Sequence, residues 1–187
     1  MAPAKKAPKK KPAPAAKTKP ATAKPPKKPT KAAGGLRPGG KAPDFDLPTD
    51  GSGRVSLKAL RGQAVVVYFY PRDDTPGCTK EACGFNEALP DFSKVNATIV
   101  GISKDKEASH ARFRDKYGLK FKLAADVDTQ AAQAYGVWIE KSLYGRQYMG
   151  MDRATFLIDK TGVVRRVWRS VKVPGHVDEV LAAAKAL

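Results

Sequence analysis

The chain has few of the residues that build extracellular scaffolds and metal centres. Its 187 residues include two cysteines and two histidines. Two cysteines do not make a disulfide framework. In a cytosolic protein they more often serve catalysis, redox sensing or metal binding. No apolar run approaches the roughly 20 residues that a membrane helix needs, so a helical membrane span is not expected. The first residues contain no apolar core and do not read as a secretory signal. They also lack the Arg and Ser enrichment of a transit peptide, although a targeting role stays open. Acidic residues are scarce, with 18 Asp and Glu against 35 Lys and Arg, for a net charge of +17. Residues 1–34 contain no acid, no aromatic residue and, after Met1, no aliphatic residue larger than alanine.

What residues 1–34 do contain is eleven lysines and eight prolines, Pro3 to Pro29. Such a segment cannot bury enough apolar surface to offset its chain entropy, so residues 1–35 are expected to be a disordered basic tail. The prolines bias it toward extended conformations. Gly34, Gly35, Pro38, Gly39 and Gly40 mark a boundary, and residues 36–187 read as one folded domain. Removing the eleven tail lysines leaves +6 for residues 35–187, so the body is only mildly basic. Eleven lysines suit salt-dependent, sequence-independent binding to nucleic acid phosphates. The absence of aromatics argues against base stacking. A solubilising low-complexity extension fits the same composition. An acidic membrane surface is a third partner, without an apolar anchor beside the charge.

The body alternates strand and helix signals. Ala64 to Tyr70 is a continuous apolar run, the pattern of a buried central strand. Cys78 to about Phe92 reads as a helix, Ala97 to Ser103 as a second buried strand, and Asp105 to Tyr117 as a polar helix ended by Gly118. Phe121–Ala125 is a short strand and Thr129–Tyr135 a helix. Thr155–Asp159 and Val163–Trp168 flank a hairpin turn at Lys160-Thr161-Gly162. Val177–Leu187 is a C-terminal helix. This order predicts an α/β fold with a mixed central sheet flanked by helices.

Chemistry concentrates between Tyr70 and Cys83. Cys78 follows an apolar strand and a Pro/Gly turn, where a helix begins. Helix N-termini carry partial positive charge and free N–H donors, which favour a reactive thiolate. A cysteine that reduces peroxide must be ionised, must hold the peroxide so that one oxygen leaves with charge, and must have its sulfenic acid captured before it oxidises further. The helix start serves the first need. The Thr75 hydroxyl and the N–H groups of Gly77 and Cys78 serve the second, in the manner of an oxyanion hole. A distant arginine would complete the site. Cys83 is near enough in sequence to capture the sulfenic acid, but geometry intervenes. Five residues of helix rise about 7.5 Å and leave the two Cα atoms roughly 8–9 Å apart. A disulfide needs under about 7 Å, so the pair closes only if the helix unwinds. Gly84 lowers helix propensity by about 1 kcal/mol relative to alanine. Competing readings are a buried structural cysteine and a zinc site. Zinc would need further Cys or His ligands, and the two histidines, His110 and His176, are remote in sequence. A thioredoxin-type dithiol would need two intervening residues rather than four.

Pro71-Arg72-Asp73-Asp74-Thr75-Pro76-Gly77-Cys78 resembles the Pro-x-x-x-Thr-x-x-Cys motif of peroxiredoxins. Thr79-Lys80-Glu81-Ala82-Cys83 resembles the continuation in the bacterioferritin comigratory protein, or peroxiredoxin Q, branch. Gly40 to Leu47, Val100 to Ser103 and Arg153 to Ile158 resemble other segments of that family, so the likeness spans about residues 36–187. It implies a thioredoxin-like fold and a thiol peroxidase for hydrogen peroxide and organic hydroperoxides. It further implies Cys78 as the peroxidatic and Cys83 as the resolving cysteine, joined in an intramolecular disulfide. Thr75 and Arg153 would activate the substrate, and Pro71 would shield the thiolate. Thioredoxin or glutaredoxin would be the reductant, the chain a monomer, and no haem, flavin or metal would be needed. The implied location is the bacterial cytoplasm, at the nucleoid if the tail holds DNA, or the nucleus or an organelle in a eukaryote.

Other residues have plainer expectations. Trp138 and Trp168 are packing residues. Glu81 caps the first helical turn; its charge opposes ionisation of Cys78, so the arginine must outweigh it. Tyr144 to Met151 reads as a loop near Arg153, bordering the site or standing clear of it. His110 reads as a solvent-facing helix residue.

Overall fold

The computed structural model describes Met1 and residues 35–51, 53–143 and 145–187. The expected disordered tail lies outside the described residues, apart from its two end residues. The apolar run forms β3 (Ala64–Phe69), buried at every position. It lies at the centre of a five-stranded sheet. β4 (Ala97–Ser103) and β5 (Lys122–Ala125) continue the sheet on one side in parallel. β8 (Ala154–Ile158) and β9 (Val164–Trp168) continue it on the other in antiparallel fashion. The spatial order is β5-β4-β3-β8-β9.

Alternation explains why β3 has no polar face. Val65, Val67 and Phe69 join Val100, Ile102, Phe156 and Tyr135 on one side of the sheet. Val66, Tyr68 and Tyr70 join Ile99, Leu123, Leu157, Cys78 and Phe85 on the other. Each fully buried Val or Phe contributes about 1.5–3 kcal/mol relative to exposure. Gly101 is paired in register with Tyr68. A Cβ at Gly101 would come within 2.7 Å of the Tyr68 hydroxyl oxygen, so glycine there makes room for the phenol.

Helices cover both faces. α1 (Pro76–Glu87), α2 (Leu89–Lys94), α3 (Glu107–Tyr117) and α5 (His176–Lys185) supply the second cluster, and α4 (Gln130–Ala134) the first. The single helix expected from Cys78 to about Phe92 is divided. It begins at Pro76, where the missing N–H costs nothing, and breaks around Ala88, where Pro90 opens α2. Gly118 ends α3 with a left-handed φ of 62°.

Two hairpins were not expected. β1 (Asp46–Pro48) pairs with β2 (Arg54–Ser56). β6 (Trp138–Leu143) pairs with β7 (Arg146–Met151), replacing the loop expected over Tyr144 to Met151. Glu140, Lys141, Arg146 and Gln147 mask the strand alternation in sequence. Gly145, with a φ of 77°, sits in the turn between the strands, where positive φ favours glycine. Tyr144 lies outside the described residues. Among those described, no helix is long and apolar enough to cross a membrane.

Candidate active site

Antiparallel pairing of β3 with β8 brings distant residues together. Phe69 is paired with Ala154. The chain leaving β3 toward Cys78 and the chain entering β8 through Arg153 therefore meet at one end of these two inner strands. Arg153 Nη2 donates to Cys78 Sγ at 3.2 Å, and Nη1 donates to the Glu81 carboxylate. Gly77 permits the approach, since a Cβ there would lie 3.2 Å from Arg153 Nη2. Arg153 keeps 15% side-chain exposure.

Cys78 is the third residue of α1 and is 1% exposed. Pro76 has no N–H, and the first intrahelical bond runs from Thr79 N–H to the Thr75 carbonyl at 2.8 Å. The N–H groups of Gly77 and Cys78 thus belong to the helix end, where no preceding carbonyl is in register to accept them. The Thr75 side chain does not cap α1; its hydroxyl donates to the Arg72 carbonyl at 3.2 Å. Pro71 is exposed, directly after buried Tyr70.

Cys83 lies on α1, half-buried, and both thiols are free. Burial and the Glu87 carboxylate, one helical turn on, push the Cys83 thiol up. While α1 is intact, Cys83 is therefore held away from its nucleophilic form. Gly84 packs closely on α5, a Cβ there meeting Val177 Cγ2 at 3.2 Å. This packing is a second reason for glycine, beside its effect on helix propensity.

The loop before Cys78 is fastened to α3. Asp73 is buried; its carboxylate accepts from Tyr70 OH at 2.8 Å and from His110 Nδ1 at 3.0 and 2.9 Å. Its own N–H donates to Asp105 at 2.8 Å. Burial alone would raise the Asp73 carboxyl, yet the hydrogen bonds and charge of His110 carry it below the usual range. Asp74, at a positive φ of 55°, accepts from Lys116 Nζ and from Tyr117 OH at 2.6 Å. Farther on, Asn86 Nδ2 donates to the Gly118 carbonyl, and Asn86 Oδ1 accepts from Lys120 N–H. The segment from Cys78 to Glu81 is thus anchored before and after.

His110 corrects the expectation of a solvent-facing residue, because it is fully buried. Its place was visible in the spacing of His110, Phe113 and Tyr117, a helical stripe on an otherwise polar segment. Glu81 corrects another. It does not cap the first turn but lies fully buried against Arg153. Cys78, Glu81, Ala82 and Phe85 share the inward face of α1, a pattern that spacing alone could have shown. Trp138 and Trp168 pack against the two clusters as half-buried residues. Removing His110 leaves the Asp73 carboxylate buried beside Tyr70. His110→Leu is expected to lower unfolding free energy by about 3 kcal/mol in urea titrations; a loss under about 1 kcal/mol, as for an exposed pair, would contradict the anchoring account.

Two buried groups respond to pH in opposite senses. Burial takes His176, 2.8 Å from the Thr155 hydroxyl, from its ordinary 6.5 down to about 4. The folded state then binds fewer protons than the unfolded chain between those values. Its contribution to stability is complete above pH 6.5 and is lost as pH falls toward 4. Burial pushes Glu81 up, against the pull of Arg153, from 4.5 to about 7. Its contribution is complete below pH 4.5 and is lost as pH rises through about 7. His176→Gln should therefore flatten the acid limb. The stability gap between wild type and variant should shrink by about 1 kcal/mol on acidification toward pH 4, after allowance for solvent screening. A gap independent of pH would show that His176 does not titrate this way.

Residues 38–167 match the AhpC/TSA family. The chain is 50% identical over 143 residues to a putative peroxiredoxin Bcp of Coxiella burnetii, covering 76% of this chain and 95% of the relative. It is 44% identical over 147 residues to peroxiredoxin Bcp of Bacillus subtilis, covering 79% and 94%. Among solved structures, the bacterioferritin comigratory protein of Xanthomonas campestris superposes with a TM-score of 0.74 at 45% identity, covering 76% of this chain and 90% of that one. A cysteine-to-serine variant of Xylella fastidiosa PrxQ superposes with a TM-score of 0.78 at 39% identity, covering 82% and 98%. These likenesses identify the mixed sheet and its helices as a thioredoxin-like fold. The chain belongs to the peroxiredoxins of the AhpC/TSA family, in the Bcp or peroxiredoxin Q branch, and is a thiol peroxidase.

Proposed function

We propose that Cys78 is the peroxidatic thiol and Cys83 the resolving thiol of a monomeric, thioredoxin-dependent peroxidase. The observation that carries this reading is the contact of Arg153 Nη2 with Cys78 Sγ at the head of the helix that also bears Cys83. The thiolate attacks one peroxide oxygen, the O–O bond breaks, and the other oxygen leaves as hydroxide or alkoxide. Arg153 and the Thr75 hydroxyl orient the peroxide. The N–H groups of Gly77 and Cys78 face the charge that develops on it. Pro71 limits solvent access to the sulfur. Hydrogen peroxide and organic hydroperoxides are the substrates; alkyl peroxide reduction is the activity described for the Xanthomonas campestris protein.

Resolution requires α1 to unwind. Cys83 then comes within reach of the sulfenic acid, escapes Glu87, and forms the disulfide with loss of water. Thioredoxin, or glutaredoxin, reduces that disulfide. NADPH consumption with thioredoxin, thioredoxin reductase and either hydrogen peroxide or an alkyl hydroperoxide tests the cycle. Turnover with both peroxides supports it; no turnover with either peroxide overturns it.

A second reading concerns residues 1–34, whose eleven lysines are free of any acid. They tether the enzyme to DNA, at the nucleoid of a bacterium or in a nucleus or organelle of a eukaryote. If all eleven lysines contact phosphate, log K falls with log salt at a slope of about −10 for the full chain. Binding that survives removal of residues 1–34 with the same slope would refute the tether.

A further inference from the structure

One guanidinium serves two acids. Arg153 reaches the Cys78 sulfur with Nη2 and the Glu81 carboxylate with Nη1. Glu81 is fully buried, and its other oxygen, Oε1, has no hydrogen-bond partner among the described residues. Among the described residues, Arg153 is the one cation acting on the Glu81 carboxyl. Tyr68, from β3, is fully buried, and its hydroxyl is likewise unpartnered. Burial, with Glu81 and Cys78 next in order, pushes that phenol up, so it stays neutral. His176, from α5, is held neutral by burial. Asp73, from the loop before α1, is negative and spoken for by His110. A single cation in a low-dielectric site balances one anion, and a second buried anion is costly.

We propose that Glu81 holds a proton while Cys78 is a thiolate and releases it when the sulfur is oxidised, so that Arg153 faces one negative charge at each stage. This inference rests on the reading of Cys78 as the reacting thiol. With sulfur charged, Glu81 is the neutral acid. The thiolate then gives two electrons to the peroxide, a sulfur–oxygen bond forms, and the O–O bond breaks. The leaving oxygen takes up one proton to become water or alcohol. The sulfur, now a neutral sulfenic acid, no longer competes for Arg153, and Glu81 ionises. One proton is consumed and one is released, and two electrons pass from sulfur to oxygen. The raised Glu81 carboxyl, at about 7, places this exchange near neutral pH. Glu81 acts through Arg153 and does not touch the peroxide; it is a positioning residue that conserves the charge of the site.

Proton counting decides it. The full chain carrying Cys83→Ser stops at the sulfenic acid. It is mixed with one equivalent of hydrogen peroxide in weakly buffered solution containing a pH indicator. The ultraviolet absorbance of the thiolate is followed in parallel. The proposal expects the thiolate signal to vanish with almost no net proton uptake. With Glu81→Gln added, the same signal should vanish with uptake of about one proton per chain. Uptake of about one proton in both chains, or of almost none in both, overturns the proposal. If the Glu81→Gln chain fails to fold, the Cys83→Ser chain decides alone: thiolate loss with a full proton taken up overturns the idea, and thiolate loss without uptake supports it. Failure to consume peroxide, or loss of peroxide with an unchanged thiolate signal, would instead strike the role of Cys78.

Discussion

Cys78→Ser abolishes peroxide reduction, with a fall of about 10⁴-fold or more in kcat/KM, because a serine hydroxyl is not ionised near neutral pH and has no base beside it. The groups around position 78 do not rescue it. Arg153 stabilises an anion and takes no proton, and Glu81 is engaged with Arg153. The fold should survive, since serine replaces a buried thiol of almost equal volume; far-ultraviolet circular dichroism checks that. Cys83→Ser gives a different phenotype. It consumes about one equivalent of peroxide per chain and then stalls, because the sulfenic acid has no partner in the same molecule. If Cys78→Ser kept its activity and Cys83→Ser lost even the first equivalent, the two roles would be reversed.

Arg153→Met has the next largest effect. Removing one preorganised donor from a transition state with developing charge costs about 10²–10³-fold, and here the donor also carries a full charge. Lysine is not a conservative substitute, because a point charge cannot span the sulfur and Glu81 as the planar fork does. A second consequence separates this variant from a simple loss of a substrate contact. Without Arg153, Glu81 is a carboxyl buried with no cation, and its native form is the neutral acid. The folded state then binds a proton that the unfolded chain does not hold above pH 4.5. Because wild-type Glu81 also keeps its proton up to about 7, the stability of Arg153→Met should fall relative to wild type only as pH rises above that value. Urea midpoints at neutral and alkaline pH, beside kcat/KM for hydrogen peroxide, measure both effects. A variant with normal kcat/KM, or with a pH-independent stability loss, would show that Arg153 is not shared as described.

Much of this was legible before the structure, for identifiable reasons. β3 has no polar face because both faces of the central sheet are covered, so its seven-residue apolar run was unambiguous. Cys78 stood out because a strand, a Pro/Gly turn and a helix start coincide there. Long-range chemistry was harder to read. Arg153 was reachable only through family resemblance, since its closeness to Cys78 depends on the Phe69–Ala154 register. Nothing local encodes that register. The buried charges were misread because charged residues default to solvent. His110 and Glu81 contradict that default only through partners, Asp73 and Arg153, that are distant in sequence. The β6–β7 hairpin was missed because its strands carry charges on a largely exposed ribbon, where alternation is weak.

The central claim is that one helix must be intact to arm Cys78 and unwound to let Cys83 act. The most direct measurement treats the full chain with one equivalent of hydrogen peroxide and reads mass spectrometry and far-ultraviolet circular dichroism together. The account predicts a loss of two hydrogens from the intact mass, a linked Cys78–Cys83 peptide, and a fall in helix signal that thioredoxin reverses. A Cys78–Cys83 disulfide formed with the helix signal unchanged, or covalent dimers as the main product, would contradict it.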